Sequence, residues 1–198
     1  MTRASRWIQI TDRVNAAIWR IPLSPRIQSR LSVLAYRSPA ISAERVVETL
    51  DALEKAEVTV CCMGGWGIDA LLGEQSRAHR DLDLIVEQED WGAAREVLAA
   101  LGYETWYQQW SDIPLISRFV VRDHAMRVVD IHPVDLNEVD LEIVTGKIAA
   151  RPVRCLSAEQ QYRHHQKFRN RLPRERRSQR SNAAIARRLL ESKSDSSD

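Results

Sequence analysis

At 198 residues the chain is the size of one domain with arms, and its 44% apolar side chains exclude wholesale disorder. No window approaches the roughly 18 uncharged apolar residues that would span a bilayer, so no membrane role is expected. The net charge of +2 hides an asymmetry: residues 1–37 carry seven Arg against one Asp, residues 38–150 nine basic against 21 acidic side chains, and residues 151–190 twelve basic against two acidic ones.

Seven charged residues interrupt positions 1–30, leaving no secretory apolar segment. Cys61, Cys62 and Cys155 are odd in number, two of them adjacent, and show no metal-type spacing. They read as reduced thiols of a cytoplasmic protein. The basic ends are compatible with solvated helix faces, with RNA, or with the acidic middle of the same chain.

In chain order, Trp7, Ile10, Val14, Ile18 and Ile21 recur at spacings of three and four, which predicts an amphipathic helix over 6–21. Pro22 and Pro25 end it, and 22–41 reads as a linker, so residues 1–41 form a basic N-terminal arm. Trp7 and Trp19 on that arm suit a homodimer contact or a strap across the core. Ser42 caps a helix over 43–56 with Val46, Val47, Leu50 and Leu53 inward. Val58–Met63 is a short strand stopped by Gly64-Gly65; a helix follows from Trp66 to Leu72, closed by Gly73.

Glu74–Arg80 is loop-like, Asp81–Glu87 an alternating strand, and 89–101 a helix. Tyr103–Trp110, Leu115–Arg122 and Met126–His132 are successive strands, the last stopped by Pro133. Short strands Leu141–Val144 and Pro152–Leu156 flank Thr145-Gly146. Ser157-Ala-Glu-Gln160 is a capping box opening a helix at 158; Pro173 breaks it, and a basic helix covers about 175–191. The expected plan is therefore a core domain over 42–156, a basic helical region over 157–191 and a disordered tail over 192–198. The fold class is α/β (α+β), a mixed sheet flanked by helices with a helical C-terminal part.

The chemistry concentrates between residues 64 and 83. Asp81 and Asp83 stand two apart on a strand, so their carboxylates share one face about 6.5 Å apart. Two carboxylates on one face repel unless something positive lies between them, and Mg²⁺ is a fitting resident because it favours oxygen ligands and phosphates. Gly64-Gly65, between a strand and a helix, is where backbone N–H groups hold an anion, and Arg77, His79 and Arg80 precede the aspartates where they could neutralise a triphosphate. Asp130 is an acid set between Val129 and Ile131, and needs a metal or a substrate hydroxyl as partner. His132, on the same face, is either structural or a support to that site.

These residues resemble a known family. The run from Val58 through Gly64-Gly65-Trp66-Gly67-Ile68-Asp69 to Gly73, with Arg77-Ala-His79-Arg80-Asp81-Leu-Asp83, is similar to the antibiotic nucleotidyltransferases of lincosamide and aminoglycoside resistance. Val129-Asp130-Ile131-His132-Pro133 resembles the lincosamide enzymes, and Gly146–Cys155 the aminoglycoside 2″-type enzymes. The resemblance implies a polymerase-β-like fold, Mg²⁺ at Asp81, Asp83 and Asp130, nucleotide phosphates near Gly64, Gly65 and Arg77 or His79, and Asp130 as the catalytic base. It implies transfer of a nucleoside monophosphate, AMP from ATP, to a hydroxyl of a small-molecule acceptor such as an aminoglycoside or lincosamide. Two departures lie on the acceptor side: Lys167 replaces a family glycine, with an Arg-rich run in place of acids, and residues 1–40 have no counterpart. Competing readings are nucleotide transfer to RNA, gripped by the basic termini, and a non-catalytic nucleotide- or partner-binding relative.

Overall fold

A computed structural model describes residues 39–109, 115, 117–167 and 173–194. The helix expected over 6–21, most of the linker, and residues 195–198 of the tail lie outside the described residues. The elements are α1 (Ala43–Lys55), β1 (Val60–Met63), α2 (Gly64–Leu72), β2 (Asp81–Glu87), α3 (Trp91–Ala100), β3 (Tyr103–Gln109), β4 (Arg118–Asp123), β5 (Val128–Val134), β6 (Ile143–Ile148), β7 (Arg151–Leu156), α4 (Ala158–Lys167) and α5 (Pro173–Ser194). The strands form one mixed sheet in the order β3-β4-β5-β2-β1-β7-β6. The pairs β2·β5 and β1·β7 are parallel, the others antiparallel.

Period-two alternation sorts the side chains between two faces. Leu82, Leu84 and Val86 of β2 and Val129 and Ile131 of β5 join Val46, Leu50 and Leu53 of α1, Trp66 and Ala70 of α2, and Ala94 and Leu98 of α3 in the main core. Each such buried aliphatic side chain contributes about 1.5–3 kcal/mol. The opposite face carries Asp81, Asp83 and Ile85 of β2 beside Asp130 and His132 of β5. A smaller cluster of Cys61, Met63, Ile85, Val134 and Leu156 covers its other end, partly roofed by Leu136, Val139 and Leu141. α4 and α5 pack on each other, and both touch α2.

Local chemistry explains the boundaries. The Ser42 hydroxyl accepts from Arg45 N at 3.3 Å to start α1, and Ser157 Oγ accepts from Gln160 N at 3.3 Å to start α4. Gly73, left-handed at φ 76°, ends α2. Three boundaries differ from expectation. β5 continues through Pro133 because its pairing with β4 ends at Phe119↔Ile131, so no ladder on that side calls for the N–H that proline lacks. The β6–β7 hairpin turns at Ala149-Ala150, both at positive φ (47° and 66°), and not at Thr145-Gly146. Gly146 lies inside β6, where a Cβ would come 2.4 Å from the Ala70 carbonyl oxygen of α2. Finally, Pro173 opens α5, where its missing N–H is harmless, and the helix reaches Ser194. Among the described residues no helix is long and apolar enough to cross a membrane.

Candidate active site

The site is built on the parallel ladder between β2 and β5, whose register sets Asp83 directly beside Asp130. Adjacent strands stand about 4.8 Å apart, so these carboxylates are neighbours across one rung. The ligand atoms of Asp83, Asp130 and His132 all lie within 4.8 Å of one another. Arg118, on β4 at the other flank of β5, compensates the charge. Its Nε donates to Asp130 Oδ1 at 3.2 Å and its Nη2 donates to Oδ2, a two-pronged contact. The Asp130 side chain is 8% exposed and that of Arg118 35%. His132 Nε2 stands 3.7 Å from Asp130 Oδ1. Burial first holds this imidazole below its ordinary pKa; Asp130 opposes that shift, Arg118 adds to it, and backbone groups of Ser117 and Leu115 oppose it.

Asp81 opens β2 one pleat away from Asp83, on the same face. Although the residue is exposed, its carboxyl is held above the usual range, first by crowding of protein around it and next by the charge of Asp130. Arg118, His79 and Arg77 pull the other way. Asp81 is outside the close group formed by Asp83, Asp130 and His132.

Beside Asp83 the backbone passes close to the carboxylate. Met63 pairs with Asp83, and Gly64 follows at φ +64°. A Cβ on Gly64 would stand 2.0 Å from Asp83 Oδ2, so only glycine brings the backbone against this carboxylate. The expected turn at Gly64-Gly65 is in fact the first turn of α2, which starts at Gly64 with no side-chain cap. Its first N–H groups have no intrahelical partner and, with the helix dipole, favour an anion next to Asp83.

The basic loop divides. Arg77 is half-buried and reaches the C-terminal helix, donating from Nη2 to Asn182 Oδ1 at 3.0 Å. His79, expected alongside Arg77 at the phosphates, is 2% exposed and turned inward. Its Nε2 meets Asp69 Oδ2 at 2.5 Å, its ring leans on Trp66 at 5.0 Å and 52°, and its backbone carbonyl accepts from Ile41 N at 2.8 Å. A Cβ on Gly65 would run into that ring at 2.2 Å. The Asp69–His79 pair is therefore the support beneath the glycines, and Asp69 Oδ1 also accepts from Ser76 N and Oγ, pinning the loop to α2. Sequence reasoning missed Asp69 in this role and Arg118 altogether. Alternation in β4 puts Arg118 opposite Phe119, but only the antiparallel register with β5 delivers it to Asp130.

A family profile described as aminoglycoside-2″-adenylyltransferase matches residues 45–144, just over half of the chain, from α1 into β6. The chain belongs to this family. As an aminoglycoside-2″-adenylyltransferase family member, it places Gly64, Gly65, Arg77, Asp81, Asp83, Arg118 and Asp130 all within the matched segment. A lincosamide resistance protein of Staphylococcus haemolyticus is 31% identical over 98 residues, 50% of this chain and 58% of that protein, so the match spans little more than half of the relative's length. Among solved structures, the lincosamide antibiotic adenylyltransferase LnuA with lincomycin bound superposes with a TM-score of 0.64 at 22% identity, over 76% of this chain and 99% of that one. ANT(2″)-Ia in complex with adenylyl-2″-tobramycin gives 0.63 at 23% identity, over 75% of this chain and 88% of the other. These likenesses establish a nucleotidyltransferase fold.

Proposed function

We propose that this family member transfers AMP from ATP to a hydroxyl of a small antibiotic of the aminoglycoside or lincosamide class. The observation that carries the reading is the rung that sets Asp83 beside Asp130, with the uncapped N-terminus of α2 against Asp83. Hard carboxylate oxygens converging on one face suit Mg²⁺, and the Arg118 guanidinium on Asp130 marks where positive charge is wanted. Asp81, Asp83 and Asp130 are the residues that would hold the ion, which supplies positive charge to the triphosphate and acidity to the attacking hydroxyl.

The chain's own groups do the rest. The N–H groups of Gly64 and Gly65 bind phosphate oxygens, and Arg77, steadied by Asn182, neutralises part of the triphosphate. The acceptor oxygen forms a bond to the α-phosphorus, the bond from that phosphorus to the bridging oxygen of the β-phosphate breaks, and pyrophosphate leaves. The hydroxyl proton passes to Asp130, whose carboxylate Arg118 keeps oriented. The excess of acid in residues 38–150 favours a cationic acceptor. Incubation with each labelled triphosphate, Mg²⁺ and a panel of aminoglycosides and lincosamides tests the reading. An acceptor heavier by one nucleotidyl group, with pyrophosphate released and both lost in Asp83→Asn, is expected. Release that is unchanged in Asp83→Asn refutes it.

A further inference from the structure

We infer that His132 donates a ring nitrogen to the cation held by Asp83 and Asp130, so that the site has a mixed oxygen–nitrogen donor set and prefers a divalent transition-metal ion such as manganese or cobalt to magnesium. The inference rests on reading Asp83 and Asp130 as cation-holding residues, and it adds a fourth side chain that the three-aspartate reading does not use.

Placement is the first argument. Asp130 and His132 are two apart on β5 and share the face that Asp83 reaches from β2. The second is size. Donors on opposite sides of a divalent ion at about 2.1–2.3 Å stand about 4.2–4.6 Å apart. The three donor atoms here already lie within 4.8 Å, so shifts of a few tenths of an ångström close the set. The third is that the ring is only weakly engaged by its surroundings. His132 is 8% exposed, and its Nε2 lies 3.7 Å from Asp130 Oδ1, too far for a hydrogen bond. The backbone groups of Ser117 and Leu115 lie close enough to act on the ring's charge, but no hydrogen bond to Nδ1 is completed. A buried imidazole whose Nδ1 lacks a hydrogen bond and whose Nε2 faces a carboxylate at 3.7 Å has room for a partner, and a cation between the carboxylates supplies one. The last argument is donor chemistry. Imidazole suits transition metals, whereas Mg²⁺ holds to oxygen and gains little from nitrogen.

The test uses the full chain and Mn²⁺ alone. Pulsed electron paramagnetic resonance of the Mn²⁺-loaded wild type is expected to show the coupling of one directly bound imidazole nitrogen. The coupling should vanish in both His132→Gln and His132→Asn, with Mn²⁺ affinity about tenfold weaker or more and Mg²⁺ affinity within twofold of wild type. Melting curves of the two variants establish that they are folded. Bound Mn²⁺ without nitrogen coupling, coupling that survives in both folded variants, or no Mn²⁺ binding by the wild type each overturns the inference. The activity is judged separately. Nitrogen coupling without nucleotidyl transfer leaves the His132 ligand standing and removes the proposed reaction, whereas transfer without nitrogen coupling does the reverse.

Discussion

Replacing Gly64 by alanine separates backbone strain from damage to the carboxylate beside it. At φ +64° an L-residue costs about 1–2 kcal/mol, which for a chain of this size lowers the melting temperature by about 2–8 °C. The new Cβ would also stand 2.0 Å from Asp83 Oδ2 and 2.8 Å from its Cγ. To restore ordinary contact near 3.4 Å the carboxylate must move by more than 1 Å. A displacement of about 1 Å in a positioned reacting group costs about a hundredfold in rate, or about 2.7 kcal/mol of barrier. Gly73→Ala is the control, because Gly73 is equally left-handed at φ +76° but has nothing within 4 Å of a Cβ. Pyrophosphate release and thermal melts on the two variants should show similar losses of stability, with turnover about a hundredfold lower in Gly64→Ala alone. If Gly64→Ala turns over within threefold of Gly73→Ala, the glycine is not there to admit Asp83, and the reasoning fails.

Other outcomes follow from the same geometry. Arg118→Ala leaves the Asp130 carboxylate buried without its two-pronged partner and is expected to destabilise the chain by about 1–3 kcal/mol, a loss that added Mg²⁺ or Mn²⁺ partly restores; melts that respond to metal no more than wild type would argue against a shared role for guanidinium and cation. Ala149→Asn with Ala150→Gly supplies the residues that a turn with two positive φ angles favours, and should stabilise by about 1 kcal/mol in urea unfolding. The buried thiols bear on pH. Burial first of all pushes Cys61 up to about 12 and Cys155 up to about 11, and raises Cys62 as well, so the folded chain keeps its thiol protons where the unfolded chain releases them. The unfolded state then binds fewer protons above about pH 9, so stability falls as pH rises from there, by up to about 1.4 kcal/mol per pH unit for each thiol. Urea unfolding at pH 8, 9.5 and 10.5 should show that slope, and Cys155→Val should reduce it.

Legibility in the sequence followed the range of the interactions. Asp81, Asp83 and Asp130 could be assigned to faces because alternation along a strand is local, and the glycines could be placed where a strand passes into a helix because that junction is local too. Arg118 could not, since its value depends on the register between β4 and β5. His79 misled for a related reason. Its position before the aspartates suggests a phosphate contact, yet Asp69, ten residues earlier, draws it under α2 against Trp66. Gly146 read as a turn residue although its purpose is distant: it makes room for α2, while two alanines accept the strained turn. Residues 157–194 showed their helices through Ser157 and Pro173, but nothing in the sequence paired Asn182 with Arg77.

The rung between Asp83 and Asp130 belongs to interior strands of a seven-stranded sheet, with neighbours bonded along both flanks. Interior strands bonded on both flanks are among the last parts of a fold to open, so the spacing of the two carboxylates is buffered against change at the periphery. Substitutions in the loops and helices around the sheet can therefore remodel what is bound above this rung while leaving the spacing of its two carboxylates in place.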